Sequence, residues 1–269
     1  MSPMMCRIYF KDNAMYIAST IKSGKGIRML QRIMMLILMC LPLAAESRLV
    51  KENFNGGKIE TAGALLRGEG LADDDRGGKC MSGGMLAYFP MSKYWNPKQG
   101  TVEFRIKLLA PSTDPAVDNW AMFRATAPIA GISEKDSFAH SFSVINGWGA
   151  GLFLLVSDKA GVRQMIKYTK ITAWQTNEWH HIAFTWKIDN PGRSSIAFYV
   201  DGSPAGIVKD VAIEQDDDAW KAVMAVEPTD IQAHDRYSVR VGSVYTKKHA
   251  GCIDDVKIYD FPRSYAQQK

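Results

Sequence analysis

Residues Asn177 to Gly206 read NEWHHIAFTWKIDNPGRSSIAFYVDGSPAG, and this stretch decides the fold class. In its first half Ile182, Phe184 and Trp186 fall on one side of an extended segment, with His181, Ala183 and Thr185 on the other. That is the period-two pattern of a half-buried strand. The second half repeats it, Ile196, Phe198 and Val200 alternating with Ala197 and Tyr199. Between them stands Asp189-Asn190-Pro191-Gly192, a run of turn formers in which Pro presets one backbone angle and Gly accepts positive φ. Asp201-Gly202 supplies a second tight turn at the exit. The stretch predicts an antiparallel hairpin.

Working outward, Thr101 to Leu108 alternates Val102, Phe104, Ile106 and Leu108 against Thr101, Glu103, Arg105 and Lys107. Arg48–Phe54, Met85–Phe89, Trp120–Ala125, Ser137–Ile145, Gly151–Ser157 and Val162–Ile171 are further short extended runs, each bounded by Gly, Pro, Asp or Asn. Gly63–Gly84 reads as loops around short extended pieces, and Pro90 to Pro97 breaks the chain. Short strands so spaced mean an all-β fold of antiparallel strands in two sheets, a β-sandwich or a jelly roll, not βαβ units. Residues 210–236 depart from the pattern and read as an inserted loop with one helical turn. In the closing run Ile253 has the opposite parity to Val256 and Ile258. Asp254-Asp255 must therefore absorb an extra residue, as a β-bulge does.

Trp179-His180-His181-Ile182-Ala183 followed by Phe198-Tyr199-Val200-Asp201-Gly202 resembles the "W-H-h-A … h-Y-h-D-G" core of laminin G-like, concanavalin A-like jelly-roll domains. Gly100–Lys107 resembles that family's early "G-T-h-E-F-W-h-K" strand, and Gly251–Tyr259 its closing "G-x-I-D-D-h-x-h-Y" strand. The matches occur in the family's order and span roughly residues 50 to 265.

The chain has 269 residues and a net charge of +5. Ahead of residue 46 the charged residues are Arg7, Lys11, Lys22, Lys25, Arg28, Arg32 and Asp12, so that segment alone accounts for the excess. The remainder, with 27 basic and 27 acidic residues, is neutral, and nucleic-acid binding through a basic surface loses its support. Arg28 and Arg32 precede an apolar run, Ile33–Leu43, and then Ala44, Ala45 and Ser47, as in a secretory signal peptide. Residues 1–45 are thus expected to be a leader, with 1–28 an over-extended start ahead of Met29, and 46–269 the domain. Cleavage after Ala45 and cleavage after Ser47 both suit the pattern. The run is short for a bilayer span, so a secreted, periplasmic or cell-surface protein with no stable membrane span is expected. Cleavage leaves Cys80 and Cys252, either bridged or as two separate buried thiols.

Calcium takes six to eight oxygens from carboxylates and carbonyls. The resemblance implies one such ion, Ca2+ in a structural role, held by Glu52 near the first strand and by Asp254 or Asp255 of the closing segment. The alternative is that one Asp caps a turn and the other is solvated. Asp216-Asp217-Asp218 is a weaker metal candidate. For an organic ligand the choice is a carbohydrate, whose C–H faces stack on exposed aromatic rings while amides take the hydroxyls. Trp148, set between glycines in Asn146-Gly147-Trp148-Gly149, leads the candidates, with Asn146, Trp120 and Trp220 beside it. There is no G-x-S-x-G, H-E-x-x-H, C-x-x-C or G-x-x-x-x-G-K-[ST], nor the E-x-D-x-x-E of glycoside hydrolases on this scaffold. The sequence thus points to an exported lectin-like binding module. An extracellular adhesion or scaffold domain that binds another protein is the alternative, and a polysaccharide hydrolase or lyase the least supported.

Overall fold

The computed structural model describes residues 7–11, 14–18, 48–68, 70–127, 141–147, 151–158, 163–189, 192–243 and 250–265. The chain forms two units, Met1–Glu46 and Ser47–Lys269. In the first, β1 (Arg7–Lys11) pairs antiparallel with β2 (Ala14–Ala18), Arg7 opposite Ala18 and Lys11 opposite Ala14. The apolar run and both expected cleavage positions lie outside the described residues. No described helix is long and apolar enough to cross a membrane.

The second unit begins with β3 (Arg48–Glu52), β4 (Leu65–Arg67), β5 (Ala72–Asp74), β6 (Gly78–Ser82) and β7 (Leu86–Pro90). The long β8 (Gln99–Leu108) follows, then β9 (Trp120–Thr126), β10 (Ser141–Gly147), β11 (Gly151–Ser157) and β12 (Arg163–Tyr168). The hairpin of the opening stretch is β13 (Trp179–Lys187) with β14 (Ser194–Val200), continued by β15 (Ser203–Val211), and β16 (Ser238–Gly242) and β17 (Gly251–Tyr259) complete the set. They form two antiparallel sheets, one in the order β12-β11-β10-β9-β16-β7-β4, the other β15-β14-β13-β8-β17-β6-β5 with β3 also on β17. This is the two-sheet sandwich the alternation predicts.

Alternation places the core. Ile182 sits between Val200 and Phe104, and Phe184 between Phe198 and Val102, so inward rows run across three strands. All six are buried, and each large apolar side chain withdrawn from water contributes roughly 1.5–3 kcal/mol. The next row is Ile196, Trp186 and Gly100, where a Cβ at Gly100 would fall 2.4 Å from the Trp186 ring. The indole therefore requires glycine in the facing strand. Trp186 stacks on Trp95, ring centroids 4.6 Å apart, and Phe142 packs edge-on to Trp95 at 5.3 Å.

Residues 210–236 hold more helix than the sequence reading allows. After the short α1 (Met91–Tyr94), α2 (Asp217–Met224) and α3 (Ile231–Tyr237) occupy this segment. Two turns are too few for a clear 3.6-residue period, but the caps are regular. Asp216 accepts from the backbone N–H groups of Asp218 and Ala219, both at 3.0 Å, and Asp230 from Ala233 at 2.8 Å. The acidic triplet is thus a helix start, with Asp217 and Asp218 placed favourably in the first turn, and not a metal cluster.

The predicted bulge is present. On one edge of β17 the β8 register shifts between Asp254 and Lys257, and Asp255 takes φ 51°. The other edge is divided, β6 pairing with Cys252 and Ile253 and β3 with Val256 through Tyr259. The bulge stands where one partner gives way to the next, and it leaves a notch in the sheet.

Candidate functional site

The notch is an open depression of about 180 Å³ lined by Asn55, Asp74, Arg76, Gly77, Gly78, Asp254 and Asp255. Asn55 follows the end of β3. Asp74 and Arg76 belong to the β5–β6 hairpin, in which Asp74 pairs with Gly78 across a three-residue loop and Gly77 has φ 90°. Asn55 and Gly78 interlock: a Cβ on Gly78 would lie 1.8 Å from Asn55 Oδ1, which instead accepts from the Lys79 N–H at 3.2 Å.

Arg76 is the centre of the notch. Its Nε donates to Asp74 Oδ2 at 2.7 Å, its Nη1 to Asp255 Oδ2 at 3.2 Å, and its Nη2 to Asp254 Oδ2. The guanidinium also lies over the Trp179 ring, 4.4 Å from the centroid, a cation–π contact. Trp179 in turn donates through Nε1 to Asp75 Oδ1 at 3.0 Å, which Lys107 Nζ meets at 3.1 Å, while Arg105 Nε stands 3.5 Å from Asp255. Asp254 is 2% exposed, and its Oδ1 has no hydrogen-bond partner. Desolvation raises its pKa to about 6, with the charges of Asp255 and Asp74 adding to the rise and Arg76 opposing it. The result is a polar recess beside a partly exposed indole, holding a planar donor fork ringed by carboxylates.

Of the sequence candidates, Asp254 and Asp255 line this recess and Glu52 does not share it. Both Glu52 oxygens are committed to the following loop. Oε1 accepts from the Phe54 N–H at 3.2 Å, and Oε2 from the Glu60 N–H at 2.8 Å, the Thr61 N–H at 3.1 Å and the Thr61 hydroxyl at 3.2 Å. The carboxylates that do converge, those of Asp74, Asp254 and Asp255, converge on a guanidinium, and a divalent cation cannot occupy the same point. Among the described residues no group of three His, Cys, Asp or Glu side chains is disposed to hold a metal. As arranged, the expected calcium set does not fit the ion.

The aromatic candidates are corrected. Trp120 is 1% exposed and Trp220 2%; both rings are core, Trp220 reaching from α2 to within 6.3 Å of Trp95. Asn146 is fully buried, and its Nδ2 donates to the carbonyls of Ser112 at 3.2 Å and Val117 at 3.0 Å, tying down the loop before β9. None of the three can meet a sugar. Trp148 lies outside the described residues.

The half-exposed aromatics are elsewhere. Trp174 stacks on His180 with centroids 3.8 Å apart and planes 7° from parallel, and Tyr168 lies 6.1 Å from Trp174. His180 Nδ1 pairs with Asp201 Oδ2 at 2.9 Å, and Asp201 Oδ1 accepts from the His181 N–H at 2.8 Å. His180 therefore serves to join β13 to the Asp201-Gly202 turn. Sequence reasoning missed Arg76, whose partners Asp254 and Asp255 come from the far end of the chain.

A sandwich of two antiparallel sheets with a bulged closing strand describes a fold class, and the comparisons agree. Residues 87–267 match the model of the concanavalin A-like lectin/glucanases superfamily in its Laminin_G_3 form, and the chain belongs to that family. Among solved structures it is similar to domain 4 of AbnA, an extracellular GH43 arabinanase from Geobacillus stearothermophilus, in complex with arabinotriose. The identity is 16%, the TM-score 0.51, and the match covers 82% of this chain and 96% of that one. It is also similar to the binding domain of botulinum neurotoxin serotype D, at 12% identity and TM-score 0.52, covering 82% of this chain and 50% of that one. The ligand binding domain of the same serotype in complex with N-acetylneuraminic acid gives 11% identity and TM-score 0.52, covering 82% and 49%. The chain thus spans about half the length of the toxin chains it matches. At these identities the likeness is one of fold. No curated protein sequence matches the chain.

Proposed function

We propose that this is an exported carbohydrate-binding domain and that the notch around Arg76 receives the sugar. One observation carries the reading: on the wall of a surface recess the Arg76 guanidinium and the Asp255 carboxylate, each about a third exposed, set donors directly beside an acceptor. A pair of neighbouring hydroxyls, each both donor and acceptor, matches such an arrangement. The sugar's remaining needs are met nearby. Vicinal hydroxyls suit the planar Arg76 fork and the exposed edge of Asp255, and Trp179 offers an apolar edge to C–H groups. That the arabinanase domain carries arabinotriose and a toxin domain N-acetylneuraminic acid supports glycans as the ligand class.

The test is a panel of neutral and acidic polysaccharides, with affinity measured by calorimetry for wild type, Asp254→Ala, Trp179→Ala and Trp148→Ala. A glycan that binds wild type and loses at least about tenfold, or roughly 1.4 kcal/mol, with Asp254→Ala and Trp179→Ala locates the site at the notch. Loss with Trp148→Ala alone moves the site away from the notch, to Trp148. A wild-type chain that binds none of the panel sinks the reading.

A further inference from the structure

Asp74, from the β5–β6 hairpin, and Asp254 and Asp255, from β17, lie some 180 positions apart in the chain and point their carboxylates at one place. Like charges so gathered repel one another and oppose folding unless a cation stands among them. Arg76 is that cation, and each carboxylate takes a different nitrogen, Nε for Asp74, Nη1 for Asp255 and Nη2 for Asp254. Independent contacts hold the guanidinium in place. The Trp179 ring lies against it, and the Arg76 N–H donates to Asp74 Oδ1 at 3.2 Å, which fixes the turn from which the side chain springs. Arginine suits this post because its charge persists at any physiological pH and its fork is planar and pre-organised. A hydrated metal ion in the same place would need six to eight oxygens, and Glu52, the nearest acid of β3, is committed to the backbone of residues 54–61.

We infer that Arg76 is a tethered cation that gathers the three carboxylates itself, so that the notch is organised, and takes its ligand, without calcium. The ligand half of this inference rests on the carbohydrate reading above. The cation half does not. Arg76 and Arg105 are permanent internal charges that offset much of the charge of the three carboxylates, and Lys107 does the same for Asp75. What remains for a ligand is hydrogen bonding, which suits a neutral, hydroxyl-rich sugar.

Thermal unfolding of the full chain, in millimolar calcium and in EDTA, tests the cation half directly. The wild-type midpoint is expected to agree within about 1 °C between the two conditions. Arg76→Ala empties the centre of the carboxylate cluster; its midpoint should fall by several degrees in EDTA and stay low in calcium, because the acids that remain are not disposed to hold a metal. Arg76→Lys keeps a positive charge and should stay indifferent to calcium. A wild-type midpoint that rises with calcium overturns the inference, and so does an Arg76→Ala chain as stable as wild type in EDTA. Should Arg76→Ala fail to fold, the wild-type and Arg76→Lys responses decide alone. For the ligand half, a panel polysaccharide that binds equally in EDTA and in calcium supports metal-free recognition. Binding abolished by EDTA overturns it and leaves the carbohydrate reading standing. If no polysaccharide binds, that reading fails while the unfolding experiment still decides the role of Arg76.

Discussion

Arg263 lays its guanidinium against the buried carboxylate of Glu103, and this contact folds the segment after β17 back over the outer face of the larger sheet. Arg263 N–H donates to Thr101 Oγ1 at 2.8 Å, and that hydroxyl donates to the Phe261 carbonyl at 2.8 Å. Tyr265 then settles on Ala183, Ala197 and Tyr199. Arg263→Ala leaves Glu103 buried beside weaker partners and should cost about 2–3 kcal/mol, less than a fully buried pair because Arg263 is partly solvated. Denaturant unfolding measures it. Glu103→Gln in the Arg263→Ala background should restore part of the loss, since a neutral amide is cheaper to bury; no recovery would show that the contact acts only through packing.

Glu103 and Asp254 pull stability in opposite directions as pH changes. Desolvation pushes Glu103 up, but hydrogen bonds with His181 and Tyr265 and the charges of Arg263 and Lys257 outweigh it and bring the pKa to about 2. Its folded value lies below its unfolded one, so its contribution is whole above about pH 4.5 and drains as pH falls toward 2. Asp254, raised to about 6 from 3.8, behaves inversely. Its contribution is whole below about pH 4 and is lost as pH rises through 6. Urea unfolding from pH 2 to pH 8 should show the deficit of Glu103→Gln shrinking toward acid. Asp254→Asn should gain on wild type between pH 4 and pH 7, by up to on the order of 2–3 kcal/mol. Flat differences across those windows would refute the assignment.

Trp120→Ala should fail as a binding variant because it fails as a fold. The ring lies in the core, where removing an indole costs about 3–5 kcal/mol, or on the order of 10 °C for a domain of this size. Trp174→Ala, which removes a half-exposed ring stacked on His180, should cost well under half of that. Equal midpoints for the two variants in a thermal scan would contradict the burial seen here.

The contrast shows what the sequence could and could not carry. Period-two alternation in residues 101–108 and 179–200 is a local property, imposed by the pleat, and it yields the strands, their inward faces and the β17 bulge without further information. Burial of a tryptophan is not local. Trp120 and Trp220 stand at element ends among polar neighbours, as a ligand-stacking residue would, and only the packing of α2 and β9 against the sheets shows that both rings are core. The notch is hidden for a related reason. Its carboxylates come from residues 74, 254 and 255, and nothing in Asp74-Asp75-Arg76-Gly77-Gly78 announces that its arginine will meet the far end of the chain. The cap at Asp216 escaped the sequence reading because the helix it starts has only eight residues, too few for an apolar period to mark the acids before it as a helix start.

Cys80 and Cys252 lie on neighbouring strands, both buried and both free thiols. The β6–β17 register sets Cys252 opposite Ser82 and Ile253 opposite Met81, which makes Cys80 the diagonal neighbour of Cys252. The neighbouring thiols act on each other's ionisation, which pushes Cys80 up and draws Cys252 down, the latter helped by the nearby Lys107 charge. Cys252 is therefore the thiol that ionises first and would attack a disulfide-bearing oxidant such as oxidised glutathione. Cys80 then displaces the reduced glutathione from the mixed disulfide, two thiols giving up two electrons and two protons. The bridge would close a loop of roughly 170 residues, worth on the order of 4–5 kcal/mol in the chain-entropy model. After incubation with oxidised glutathione and unfolding in denaturant, alkylation should label neither Cys80 nor Cys252, and reduction should restore both and lower the thermal midpoint. Cys252→Ser should leave the midpoint unresponsive to reductant. If both thiols still alkylate after oxidation, the strands hold them too far apart or at the wrong angle, and the pair is a buried packing contact only.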